Sequence, residues 1–206
     1  MSIVKYNNNS ISDVTSGASL SSGAMTLIKE VTASSSATVS FIHGTSDVVL
    51  DSTYPIYVFK IINAHPASDD QNLQFNFTSD GTNFNVTKTS TSFGADHNEA
   101  DSTAQLEYKS GNDLAQSTGE QSIGASTGAD NDQASSGQLT LFDPSSTTFV
   151  KHYMSRSSQA RHSDGAQDFF TAGYCNTTSA ITGVRFKFQS GNIDSGTFKL
   201  YGIKDS

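Results

Sequence analysis

The stretch from Ile181 to Ile203 constrains the fold more than any other, because it alternates with period two almost without a break. Val184, Phe186 and Phe188 fall on one face of an extended segment, and Arg185 and Lys187 fall on the other. After Gln189–Gly196, Phe198 and Leu200 share a face while Lys199, Tyr201 and Ile203 take the opposite one. Such alternation marks strands with one face buried. The connection carries two glycines, an Asn and an Asp, which turn without strain. The expectation is a β-hairpin that closes the fold.

The same pattern recurs upstream. Met25, Leu27 and Val31 share a strand face; residues 38–42 return after a Ser-rich turn, and Val48–Leu50 follows. Residues 54–62 leave almost no polar face, which predicts a central strand covered on both sides, with Pro55 tolerated at its start. Leu73, Phe75 and Phe77 alternate before Asp80-Gly81, predicting a second hairpin with residues 83–88. Residues 92–102 read as a loop, residues 103–109 as a strand, and residues 110–136 as a long loop with a short helix near Asp113–Gln116. Strands follow at Leu139–Phe142, Phe149–Met154 and Phe169–Cys175. Roughly ten or eleven short strands without a helix-period segment predict an all-β fold. The expected form is an antiparallel β-sandwich of jelly-roll type over residues 25–206.

Residues 1–24 differ, because Ile11, Val14 and Leu20 are scattered among Ser, Gly, Asp and Asn. Such an arm cannot bury enough surface to offset its own ordering entropy. It is expected to dock on a neighbouring chain, with Lys5, Tyr6, Asn7, Asn8, Asn9, Ile11 and Val14 as the partner-binding residues.

Composition excludes several functions. A net charge of −8 with no Lys/Arg cluster argues against nucleic acid as a partner. No apolar run approaches the roughly 20 residues of a membrane span, and no secretory signal is expected. A single cysteine, Cys175, lies in an apolar run and reads as a small buried residue. Without a signal, the triplets at Asn8, Asn76, Asn85 and Asn176 carry no glycosylation meaning.

Chemistry is nearly silent. Neither a nucleophile elbow nor a phosphate loop occurs, and His43, His65, His97, His152 and His162 show no metal-motif spacing. No cofactor is expected; two acidic clusters stand as weak calcium candidates, Asp96, Asn98, Glu99 and Asp101, and Asp130, Asn131 and Asp132. With no Trp, a sugar would have to stack on tyrosines, of which Tyr108, Tyr153, Tyr174 and Tyr201 sit at strand ends or faces. No residue set suggests catalysis, and the chain is read as a non-enzyme.

Several segments together carry a resemblance: residues 25–40, 48–59, 62–67, 139–153 and, most specifically, Ser190–Ile203 within 172–203. They resemble a group of virion structural proteins of aquatic, cyanophage-type tailed phages. The resemblance implies a capsid decoration or cement protein, or a tail-associated subunit. It also implies other virion proteins as partners, location in the virion after synthesis in the host cytoplasm, and a homo-oligomer, a trimer among the options. A second reading is a receptor- or glycan-binding fibre or spike tip, using the tyrosines and residues 110–136 against host surface glycans.

Overall fold

The computed structural model describes residues 24–204, which form an all-β, antiparallel two-sheet structure without helix. The strands are β1 (Met25–Ser36), β2 (Val39–Ile42), β3 (Ile56–Pro66), β4 (Leu73–Thr78), β5 (Lys88–Asn98) and β6 (Ala104–Tyr108). They continue as β7 (Gln121–Ser122), β8 (Ser135–Phe142), β9 (Lys151–Arg161), β10 (Gly165–Cys175), β11 (Gly183–Phe188) and β12 (Ile193–Ile203). One sheet runs β1-β12-β3-β8-β9-β10-β5-β6, and the other runs β2-β11-β4-β7. The smaller sheet covers only half of the larger.

Under that cover the core is aromatic. Phe41, Phe59, Phe75, Phe186 and Phe198 are buried, and Phe186 meets Phe41, Phe59, Phe75 and Phe198 at ring-centroid distances of 5.5–6.5 Å. Each comes from the inward set of its strand, as read from the sequence. Their burial is the main favourable term in folding. β1 is the exception to that reading: Met25 and Leu27 are exposed, because the register shifts between Leu27 and Lys29 and it is Ile28, with Val31, that packs against the core.

The pairing differs from expectation. β11 and β12 do not form a hairpin: β11 lies between β2 and β4, while β12 lies between β1 and β3 in the other sheet. The connecting turn bonds outward, with Gln189 N–H donating to Asn72 C=O (2.9 Å) and Ala67 N–H to Asn192 C=O (3.0 Å). Phe186 and Phe198 therefore face each other across the core, rather than side by side on one sheet. Likewise β4 pairs with β11 and β7, and residues 83–87 cross to the larger sheet instead of returning as a hairpin arm. Val48 and Leu50 are buried but not in a strand.

The middle of the chain departs most. Residues 88–98, expected mainly as loop, form the eleven-residue β5. Its inward residues are Ser90, Ser92, Gly94 and Asp96, small or polar, so no hydrophobic period betrays it. Residues 113–116 are not helical, and residues 110–134 do not form a free loop. That segment contributes β7 and lies over the inner face of β9, β10 and β5, where the smaller sheet does not reach. Its polar contacts replace apolar packing: Ser157 Oγ donates to Ile123 C=O (2.5 Å), Thr171 Oγ1 to Ser122 C=O (3.1 Å) and Gln133 Nε2 to Arg161 C=O (3.1 Å). Buried polar groups require such partners. β3 is central in its sheet, but its outer face is covered only in part: Val58 is buried there, Lys60 is half-buried and Ile62 opens to solvent.

A candidate binding face on the large sheet

Direct register partners point to the same side of a sheet. Following them across the large sheet gives one outward row: Glu30, Lys199, Lys60, Gln138, Arg156, Phe170, Phe93 and Tyr108. The row changes character along its length. Glu30 and Lys199 form an ion pair (2.9 Å), and Lys60 donates to Gln138 Oε1. The Arg156 guanidinium binds Asp168 with two bonds (3.0 and 2.7 Å) and lies over the Phe170 ring at 4.8 Å. Phe170 stacks on Phe93 with centroids 4.8 Å apart and planes 4° from parallel. Phe93 is 42% exposed, Tyr108 54%, and the neighbouring Leu106 and Met154 are 73% and 56% exposed.

A shallow depression of about 540 Å³ interrupts the polar stretch, lined by Lys60, Ser136, Gln138, Arg156, Ser158 and Asp168. A β-bulge makes it. Ile61 pairs with Gly137 and Ala64 with Ser135, so Ile62 and Asn63 together oppose Ser136. Asn63 takes φ of 50°, a left-handed conformation that Asn tolerates, and its N–H donates to Ser136 Oγ (2.9 Å).

The tyrosines named from the sequence divide. Tyr108 is exposed on this face, its hydroxyl donating to Asp113 (2.6 Å), and that carboxylate holds the phenol pKa above its usual value. Tyr174 and Tyr201 lie on the same side, half-buried. Tyr153 does not: it is in the core against Phe75 and Phe77, and no sugar can reach it. Sequence reading missed Phe93, Phe170, Lys60 and Arg156. Phe93 shares its face with Thr89, Thr91, Ala95 and His97, but the small and polar residues on the opposite face conceal that period.

The acidic clusters also resolve. Asp96 points inward and is bound by Lys109 (2.6 Å), Arg161 (3.2 Å) and Gln167. Burial pushes its carboxyl pKa up, but bonds from Lys109 and Gln167 and the two cationic charges outweigh burial and hold it below the usual value. A carboxylate so engaged is not turned to a cation with Asn98, Glu99 and Asp101. Asn98 Oδ1 accepts from Ser102 and Thr103 N–H (3.0 and 2.9 Å), closing the turn, and Asp101 meets His97 (3.1 Å). Glu99, Asp130 and Asp132, from the two clusters, share one depression with Asp164 and Arg161. Among the described residues no group of three His, Cys, Asp or Glu is arranged to hold a metal. Lys5–Asn9, Ile11 and Val14 lie outside the described residues.

Compared with known protein families, curated proteins and solved structures, the chain matches none. Among the described residues no helix is long and apolar enough to cross a membrane.

Proposed function

We propose that this chain is a non-enzymatic structural protein of a phage particle, assembling through the outer face of its large sheet. The observation that carries the reading is the gathering of exposed Phe93, Leu106, Tyr108 and Met154 on one face of one sheet half. Apolar side chains grouped in this way mark contact surfaces. The strand order supports a jelly roll: β1-β12-β3-β8 faces β2-β11-β4-β7, with β5-β6 and β9-β10 added as extensions of the first sheet. Jelly rolls recur in capsid and lectin domains, which is an analogy of fold and no more. The resemblance of Ser190–Ile203 to virion proteins points the same way. The polar arm 1–24 would supply a second attachment.

The test is incorporation. Particles produced with Phe93→Ser/Met154→Ser are expected to lack the chain while the purified variant keeps its melting temperature; undiminished incorporation overturns the contact face. A second reading, glycan binding at a fibre or spike tip, is favoured by the depression at Lys60, Gln138, Arg156 and Asp168 beside the aromatic stack. A glycan array with and without calcium separates the two. Binding lost on Lys60→Ala supports the tip, and silence at high protein concentration removes it.

A further inference from the structure

The exposed apolar surface is not centred on its face. Along the row, exposure rises from half-buried Phe170 through Phe93 to Tyr108, and Leu106, beside Tyr108 on the same strand, is the most exposed, so the patch is greatest where the sheet stops, at β6. A patch cut by a sheet edge is completed only by something that continues the sheet.

The two edges of this sheet are treated differently. At β1, the register shifts between Leu27 and Lys29, and Lys29 and Glu30 stand on the edge, Glu30 paired with Lys199 of β12. Bulges and charges of this kind block edge pairing. β6 has an unbroken register with β5 and contains neither proline nor lysine. Lys109, the basic residue next to it, is drawn back against Asp96 and Glu107, and its side chain is only 13% exposed.

The backbone polarity of β6 follows from the bonds that bracket the β5–β6 pair. Asn98 N–H donates to Thr103 C=O (3.1 Å) and Lys109 N–H to Ser92 C=O (2.9 Å). Antiparallel pairs alternate, so Thr103, Gln105, Glu107 and Lys109 turn their backbone groups toward β5. Ala104, Leu106 and Tyr108 therefore present theirs to the outer edge, where no partner takes them among the described residues.

We infer that β6 pairs antiparallel with β6 of a second copy of this chain, about a two-fold axis through Leu106. In that register Leu106 exchanges both backbone bonds with its own copy, and Ala104 does so with Tyr108 on either side of the axis, so no free edge group of the strand is left over. Side chains agree with it. Gln105 falls opposite Glu107, an amide donor against a carboxylate, and no like charges are directly opposed. Leu106, Tyr108 and Phe93 of both copies merge into one apolar surface spanning the joined sheets. The interface is isologous, as closed dimers require. This inference stands on the edge alone and does not depend on the chain being a virion part.

Light scattering and sedimentation of the full chain test it. The expected mass is twice the 21.9 kDa of one copy. Leu106→Arg brings two cations together on the axis and is expected to weaken the dimer on the order of a hundredfold, with an unchanged far-ultraviolet circular dichroism spectrum and a melting temperature that no longer rises with protein concentration. A position-specific check uses a short bis-maleimide. Leu106→Cys should give covalent dimer and Lys29→Cys on the opposite edge should not, while Cys175 stays buried and silent. A monomer at every concentration, or equal cross-linking at 29 and 106, overturns the proposal. So does a monomer whose Leu106→Arg form fails to enter particles, which assigns the edge to a different virion chain and leaves the virion reading standing. A dimer absent from particles does the reverse.

Discussion

One sheet in this molecule has two interiors. Over β1-β12-β3-β8 the inner face is packed with Phe, Leu, Ile and Val against the second sheet. Over β9-β10-β5 the same kind of face carries Ser90, Ser92, Asp96, Ser155, Ser157, Gln159, Gln167 and Thr171, all buried, against an irregular segment. The first half is held by removal of apolar surface from water, which is non-directional and tolerates many partners. The second is held by hydrogen bonds and ion pairs, which add little individually but are costly to leave unmade. The polar half is thus specified by its contacts more than driven by them. Its outer face, in turn, carries the exposed aromatic residues.

The sharpest way to break the comparison is to remove one residue from each interior. Asp96→Ala leaves Lys109 and Arg161 without their shared carboxylate and is expected to cost about 3–5 kcal/mol in denaturant unfolding. Phe186→Ala, at the centre of the aromatic cluster, is expected to cost about 3–5 kcal/mol by cavity formation. An Asp96 variant losing under about 1 kcal/mol would mean that the polar interior is solvated and carries no such coupling.

Lys88 sharpens the comparison at the seam. It is fully buried, its ammonium donating to Asn76 Oδ1 (2.5 Å) and Val86 C=O (2.8 Å), and burial pushes its pKa down to about 8. The unfolded chain holds this proton up to the ordinary lysine value near 10.5. Between these values the unfolded state binds more protons, so stability rises with pH from about 8 upward, by up to about 3 kcal/mol. Cys175 opposes this: burial lifts its thiol to about 12, so the folded state keeps a proton that the unfolded state loses above about 8.5. Unfolding midpoints should climb from about pH 8 to about 8.5 and then level or fall. Lys88→Met should abolish the climb, and Cys175→Ala should prolong it.

The smallest effect is expected at Arg156–Asp168. This pair has ideal bidentate geometry but stands in solvent. A double-mutant cycle should find a coupling far below the Asp96 penalty and weakened by salt. A coupling as large as that at Asp96 would dissolve the distinction between the faces.

Much of the apolar half was legible in the chain. Val184, Phe186, Phe188, Phe198 and Leu200 were read onto the correct faces, because burial against one layer imposes period two whatever the partner strand is. The partners were not legible: β11 and β12 were read as a hairpin although they belong to opposite sheets. A turn rich in Gly, Asn and Ser permits either course, and only the aromatic contacts across the core distinguish them. In the polar half even the strand went unseen. β5 alternates serine with threonine and phenylalanine, and its inward serines become recognisable only beside Ser122, Asn112 and Thr171, which bind them or lie against them. The candidate face was half visible, in Tyr108 and Tyr174. The row joining Lys60 to Tyr108 draws on residues from all along the chain and exists only once β3, β8, β9, β10, β5 and β6 lie in order.

By itself, then, the sequence determined the class of the fold and the inward faces of its apolar strands other than bulged β1, since the hydrophobic effect acts on each strand without regard to its neighbour. The tertiary structure alone decided which strands pair, that a polar segment closes half of the larger sheet, and that β6 has no outer neighbour among the described residues. Those outcomes depend on directional bonds between residues distant in the chain, and no local pattern records them.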